Sequence, residues 1–200
     1  MKKKILAITL ATLMALSAVQ VFADGPAEIA PAFTAIYGSL GVEPEYAAPI
    51  SRARFSTLAF EAFRTLNNGV IPQMEAKNIF TDLGDAPEDM FVVMLYGMGV
   101  VNGVGDNTFA PRRAITRQEA CTILVRAKLL QNPDCLSEIQ AASAATDGVA
   151  GAENIAPWAK DSVAYLYFTG AFGLKDGSLA PEAEITTEEA MLLCTAFIGA

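Results

Sequence analysis

Histidine is missing from all 200 residues. That removes histidine-based triads, zinc-protease helices and most general-base schemes. Neither a Gly-x-Ser-x-Gly elbow nor a phosphate-binding glycine loop of the Gly-x4-Gly-Lys-Ser/Thr type occurs. Cysteine is scarce: Cys121, Cys135 and Cys194 are three in number, so at least one has no internal partner. No Cys-x-x-Cys pair exists to found a structural zinc site. Cys121 and Cys194 fall in apolar helical patterns, where a free thiol acts as a small hydrophobe. Candidate carboxylate pairs, Glu188 with Glu189 and Asp82 with Asp85, read as helix starts rather than as a hydrolytic pair. Asp106 and Asn107 fall short of a calcium loop and read as a turn. Basic residues number 14 against 22 acidic ones, a net charge of −8, so nucleic acid and anionic membrane surfaces are repelled at long range. The expectation is a protein without catalytic activity, metal or cofactor.

What the sequence does have is apolar content, 52% of residues, enough to bury a core. The N-terminus carries Lys2, Lys3 and Lys4, then an apolar run from Ile5 to Leu16, then Val21-Phe22-Ala23. A basic region, an apolar stretch and small residues at −3 and −1 mark residues 1–23 as an export signal cleaved after Ala23. The run is shorter than the roughly 20 residues a membrane span needs, so no membrane association is expected after cleavage. Loss of the three lysines takes the net charge from −8 to −11.

The rest divides into three similar units, at 27–68, 80–130 and 145–200, each a helix, a loop and a second helix. In the middle unit Phe91, Met94, Leu95 and Met98 make one apolar stripe, Gly99 ends the helix, and Ala120, Ile123, Leu124 and Ala127 form the stripe of the next. The third unit repeats the layout with Val163, Leu166 and Tyr167, then Ala190, Leu193, Cys194 and Phe197. Its Pro181 precedes Ile185 by the same four steps that separate Pro111 from Ile115. In the first unit Phe33, Ile36, Tyr37 and Leu40 precede Gly41, and Phe55, Leu58, Ala59 and Ala62 follow a shorter loop. A single unit cannot bury both stripes, so the three should pack together. Asn67-Asn68-Gly69 with Pro72 separates the first two units, and Gln131-Asn132-Pro133 with an Ala/Ser stretch at 141–146 separates the last two.

The middle unit contains Phe80-Thr81-Asp82, Gly99-Val100-Val101-Asn102-Gly103, Gly105-Asp106-Asn107-Thr108-Phe109-Ala110-Pro111 and Ile115-Thr116-Arg117-Gln118-Glu119, in that order. This series resembles the S-layer homology family. The third unit matches in part, and the first through its helices and Ile50-Ser51-Arg52. The resemblance implies an all-α fold of three helix-loop-helix repeats packed as a pseudo-threefold helical bundle, with grooves between neighbours. It implies a secreted protein at the cell wall or S-layer that binds anionic, often pyruvylated, secondary cell-wall polysaccharide. The alternative is an envelope module that keeps the fold, has lost the ligand and binds a protein partner.

Arg117 is the first binding candidate. The resemblance gives its position the anionic sugar. Physically, Thr116 and Glu119 form a capping box that puts Arg117 at the first helical position, beside exposed N–H groups and the positive end of the dipole. A solvated arginine beside a cap is the other reading. Arg52 is its counterpart in the first unit, where Arg54 replaces the capping glutamate. In the third unit Thr187 replaces the arginine, while Thr186 and Glu189 keep the box. Asp82 either caps the first helix of its unit or hydrogen-bonds the sugar. Trp158 either stacks on a sugar face or closes the core. Gly103 serves loop geometry, with close approach of a ligand as its second role.

Overall fold

The computed structural model describes residues 29–75 and 77–199, so the expected export signal lies outside the described residues. Among the described residues seven α-helices follow one another: α1 Pro31–Ser39, α2 Arg52–Leu66, α3 Asp89–Gly97, α4 Arg117–Gln131, α5 Leu136–Ser143, α6 Lys160–Phe168 and α7 Thr187–Gly199. Among the described residues there is no strand, only isolated bridges. The all-α expectation therefore holds.

Six of the helices fall where the apolar spacing places them. Phe33, Tyr37, Phe55, Leu58, Ile123, Leu124, Leu166, Leu193 and Phe197 all enter one core. The middle stripe differs slightly: Val92 and Leu95 are its buried members, while Phe91, Met94 and Met98 are partly covered. Phe91 instead tilts against Phe60 of α2, ring centres 5.3 Å apart. α1, α3 and α6 each end two residues before a left-handed glycine, at Gly41, Gly99 and Gly170. Those glycines donate to Gly38, Tyr96 and Tyr167 carbonyls, closing the turn at no side-chain cost.

α5 lies between the second and third units, running into the Ala/Ser stretch at 141–146 that reads as linker. Asn132 caps a short 3-10 turn, Pro133–Cys135, which leads straight into α5. Ile139 is its single fully buried apolar side chain. One anchor in eight residues is too weak a period to read in the sequence.

The long helices α2, α4 and α7 start around a shared point. Ile115 N–H donates to the Ile50 carbonyl at 3.0 Å, Ile50 N–H to Ile185 at 3.0 Å, and Ile185 N–H to Ile115 at 3.2 Å. The three bonds close a ring, and all three isoleucine side chains are buried. One layer out, Arg52 N–H donates to Arg113, Arg117 N–H to Ala183, and Thr187 N–H to Ala48. Ala53, Gln118 and Glu188 N–H groups donate in turn to Pro111, Pro181 and Tyr46. Each helix start is thus tied down by the loop preceding another of the three. A buried N–H left without such a partner costs about 1–3 kcal/mol, so the ring fixes how the three helices meet.

Candidate functional site

The helix start at Arg117 is not an open anion seat. Its N–H groups are occupied: Arg117 and Gln118 donate to Ala183 and Pro181, and Glu119 donates to the Thr116 hydroxyl. This corrects the expectation of exposed N–H groups there. The capping box itself is present, with Thr116 N–H donating back to Glu119 at 3.0 Å. Thr186 and Glu189 make the same reciprocal pair. At Arg52 the box is indeed lost: Ser51 accepts from Arg54 N–H, and nothing returns the bond.

Nor is Arg117 a solvated side chain. It is 6% exposed and turns inward. Nε donates to the Leu179 carbonyl at 3.1 Å, Nη2 donates to the Gly173 carbonyl, and the guanidinium lies 4.1 Å over the Phe172 ring. Arg52 behaves alike. Nε donates to Phe109 at 3.0 Å, Nη2 to Asn102 at 3.4 Å, and the guanidinium sits 4.5 Å over Phe109. Burial pulls both guanidinium groups below arginine's usual pKa. Each arginine therefore pins the loop of the following unit against its own helix. Sequence spacing places both residues at the first helical position but says nothing of the loop they would reach.

Arg52 differs in having a carboxylate partner. Its Nη1 lies 3.0 Å from Glu119, which also takes Arg113 at 2.6 Å. Burial acts to raise the Glu119 pKa. The Arg113 hydrogen bond, the Thr116 N–H and the two positive charges outweigh it, leaving the carboxyl below its usual value.

Asp82 does not cap α3. Its two oxygens accept from Phe109 N–H at 2.8 Å and Ala110 N–H at 2.7 Å. It braces the loop whose Ala110 holds a φ of 57°. The residue before α3 is Glu88, with Asp89 first in the helix, bonded to Gly84 N–H at 2.8 Å and paired with Arg112 at 2.8 Å.

Three of the sequence candidates do converge. Arg52, Gly103 and Trp158 line one groove of about 380 Å³, together with Asn102, Val104, Glu119, Thr122, Ile123 and Arg126. Trp158 is 55% exposed, so the core role weighed for it is wrong. It stands in a turn just before α6, where its ring faces solvent at the groove. Gly103 forms the closest backbone approach: a Cβ there would lie 2.6 Å from the Thr108 carbonyl oxygen and 2.9 Å from the Phe80 ring.

Arg126 is the residue sequence reading passed over. It is half-buried, forms no ion pair among the described residues, and has a pKa lowered by burial alone. With the Asn102 amide oriented to satisfy both of its ends, Asn102 oxygen accepts from Arg126 at 3.3 Å. The available signal was the spacing Glu119, Thr122, Arg126, a polar stripe at i, i+3, i+7 beside the apolar one of α4.

Two other depressions contrast with this one. The Arg117 depression, about 140 Å³, adds Lys175 paired with Glu189 at 3.2 Å and is otherwise walled by Leu174, Leu192 and Leu193. A larger groove of about 490 Å³ lies between the end of α1 and residues 83–87. Its lining includes Asp85 and Asp89 and no basic side chain, which disfavours an anion.

The Asp106–Asn107 turn carries positive φ at both residues, and no cluster of three metal-binding side chains occurs among the described residues. No described helix is long and apolar enough to cross a membrane.

No curated protein matches the chain. The family model described as S-layer homology domain matches residues 80–121, the segment holding Asp82, Gly103, Arg117 and Glu119. Such a domain carries a general role in anchoring at the cell wall and surface. That match makes the segment from Phe80 to Cys121 similar to an S-layer homology domain.

Proposed function

We propose that the secreted chain is a non-catalytic anchor that binds anionic cell-wall polysaccharide in the groove of Arg52, Gly103, Arg126 and Trp158. The observation carrying this reading is the coexistence in one cleft of an exposed indole and a half-buried arginine without an acidic partner. An indole offers an apolar plane to a sugar face, and a guanidinium offers a planar donor fork to an oxyanion. Arg52 lies at the bottom of this cleft, already bonded to protein, and supplies charge and rigidity rather than free donors.

The wider reading is of three S-layer-homology-like repeats about a pseudo-threefold axis. Support comes from the closed hydrogen-bond ring of Ile50, Ile115 and Ile185 and from the matching bonds of Arg52, Arg117 and Thr187. Export through a cleaved N-terminal signal completes the proposal, resting on Lys2 to Ala23 alone.

Co-sedimentation tests it. Secreted chain mixed with wall sacculi of the producing cells should pellet, and should stay in solution when the sacculi have been stripped of their polysaccharide. Equal pelleting with stripped walls, or none with native walls, sinks the proposal.

A further inference from the structure

Asn102 and Gly103 stand in the loop between α3 and α4, exposed and outside any helix. An asparagine followed by glycine is prone to close a ring on itself, because glycine has no side chain to shield its amide nitrogen. Two such pairs occur in the chain, Asn68-Gly69 and Asn102-Gly103. Their surroundings differ. Gly69 is a left-handed glycine just after α2, and its N–H donates to the Arg64 carbonyl at 2.7 Å. Gly103 N–H has no hydrogen-bond partner among the described residues.

Each amide of the Asn102-Gly103 pair also meets a guanidinium. Arg52 Nη2 donates at 3.4 Å to the Asn102 main-chain carbonyl, the oxygen of the peptide group that supplies the Gly103 nitrogen. Drawing electrons toward that oxygen makes the Gly103 N–H more acidic, and the nearby positive charge favours its anion. Arg126 Nη1 donates at 3.3 Å to the Asn102 side-chain oxygen. That donor makes Cγ a better electrophile and stabilises the oxyanion that forms on ring closure. Asn68 has no such donors among the described residues.

We infer that Asn102 and Gly103 form a self-deamidating site, in which Arg52 activates the nucleophile and Arg126 the electrophile. The Gly103 nitrogen gives its proton to hydroxide and bonds to Asn102 Cγ. The Cγ–Nδ2 bond breaks, and the leaving nitrogen takes a proton from water and departs as ammonia. A second water opens the imide at either carbonyl, leaving aspartate or its β-linked isomer. The net change consumes water and releases ammonia, with no oxidant or reductant. The β-linked form adds a carbon to the main chain beside Gly103, where a Cβ would already lie 2.6 Å from the Thr108 carbonyl oxygen. That form should therefore melt lower than the aspartate form. In either form a new carboxylate stands beside Arg126. Two arginines and one glutamate line this groove, so the added charge brings it to neutrality. On the wall-binding reading above, conversion weakens the hold on an anionic polymer.

The test ages the full secreted chain in mildly alkaline buffer, folded and in urea, and follows the Asn102 and Asn68 peptides by mass spectrometry. In the folded chain Asn102 should convert at least about 10-fold faster than Asn68, a factor smaller than a well-placed oxyanion donor supplies. In urea the two should convert at similar rates. Arg126→Met should slow Asn102 about 10-fold and leave Asn68 unchanged. An unfolded variant would reveal itself by raising Asn68 to its urea rate, and the comparison of the two sites in the native chain needs no variant. Folded Asn102 reacting no faster than Asn68, or slower than it does in urea, overturns the inference. The converted fraction, separated by charge, should pellet less with sacculi than fresh chain. Equal pelleting overturns the link from conversion to the groove. Fresh chain that does not pellet overturns the wall reading and leaves the deamidation rates standing.

Discussion

Arg52 at the start of α2 and Glu119 in the first turn of α4 are joined by a 3.0 Å ion pair, and the same carboxylate completes the capping box of α4. One side chain thus caps its own helix, neutralises the inward arginine of another, and holds Arg113 at the surface. Replacing Glu119 removes a partner from a mostly buried arginine. Breaking a buried pair on one side costs about 3–5 kcal/mol. The 15% exposure of Glu119 brings the expected loss to the lower end. Glu119→Ala should lower stability by about 3 kcal/mol in urea unfolding. A loss under about 0.5 kcal/mol would mean the pair is only a surface contact.

The same residue sets an acid limit. The folded carboxyl titrates below the ordinary value of 4.5. A depressed acid binds fewer protons in the folded state than in the unfolded one. Its stabilisation is therefore complete above about pH 4.5 and fades as pH falls through the lower folded value. Melting temperature measured from pH 6 down to pH 3 should fall less steeply in Glu119→Gln than in the native chain. Parallel curves would remove Glu119 from the acid response.

Arg117 is predicted to matter for stability first. Its loss leaves the Leu179 and Gly173 carbonyls without their donors and the Phe172 ring without its cation. Unsatisfied buried acceptors cost about 1–3 kcal/mol each at most, so Arg117→Ala should destabilise by about 2–4 kcal/mol. Arg117→Lys should not restore it, because an ammonium cannot span two carbonyls and stack as a planar group does. Chemical unfolding of both variants checks this. A stable Arg117→Ala variant would return the residue to the role of a free ligand donor.

That reversal marks where sequence reading stopped. Helix spacing, glycine ends and the Thr116–Glu119 box are local patterns, each contained within a few residues, and they were legible. The direction of Arg117 is not local. Its side chain turns inward because carbonyls of a loop more than 50 residues away lie within reach, and no spacing within α4 encodes that. Trp158 escaped for the opposite reason: an aromatic at a helix start looks like a core residue until the neighbouring surface is known to be polar. Asp82 precedes a helix and so reads as its cap, yet its acceptors are claimed by N–H groups 27 and 28 residues on. Arg126 went unread because the polar stripe of Glu119, Thr122 and Arg126 on α4 matches no motif.

Gly103 should not tolerate a methyl group. A Cβ would sit 2.6 Å from the Thr108 carbonyl oxygen, a backbone atom whose position is fixed by its bond from Val104 N–H at 2.8 Å. Overpacking of this kind costs about 1–3 kcal/mol. Gly103→Ala should lower the melting temperature and, by shifting residues 102–104, weaken sacculus binding too. A variant with native melting and native binding would mean the loop relaxes freely.

The buried thiols of Cys121 and Cys194 have pKa values pushed well up by burial. Thiolate is the reactive species, so two of the three cysteines should resist an aromatic disulfide reagent at pH 8 until the chain is unfolded. Rapid labelling of all three in the native protein would contradict the core described for α4 and α7.

Trp158→Ala separates binding from folding most cleanly. The indole is 55% exposed, so stability should change by less than about 1 kcal/mol. If the ring is a platform for sugar, its removal deletes a contact made only with ligand. An aromatic contact beyond simple burial is worth about 0.5–1.5 kcal/mol, which predicts a loss of roughly 3- to 10-fold in sacculus affinity. Trp158→Phe keeps an apolar plane and should retain most of it. Equal binding by native, alanine and phenylalanine forms would place the polysaccharide elsewhere on the surface, and with it the role of the whole groove.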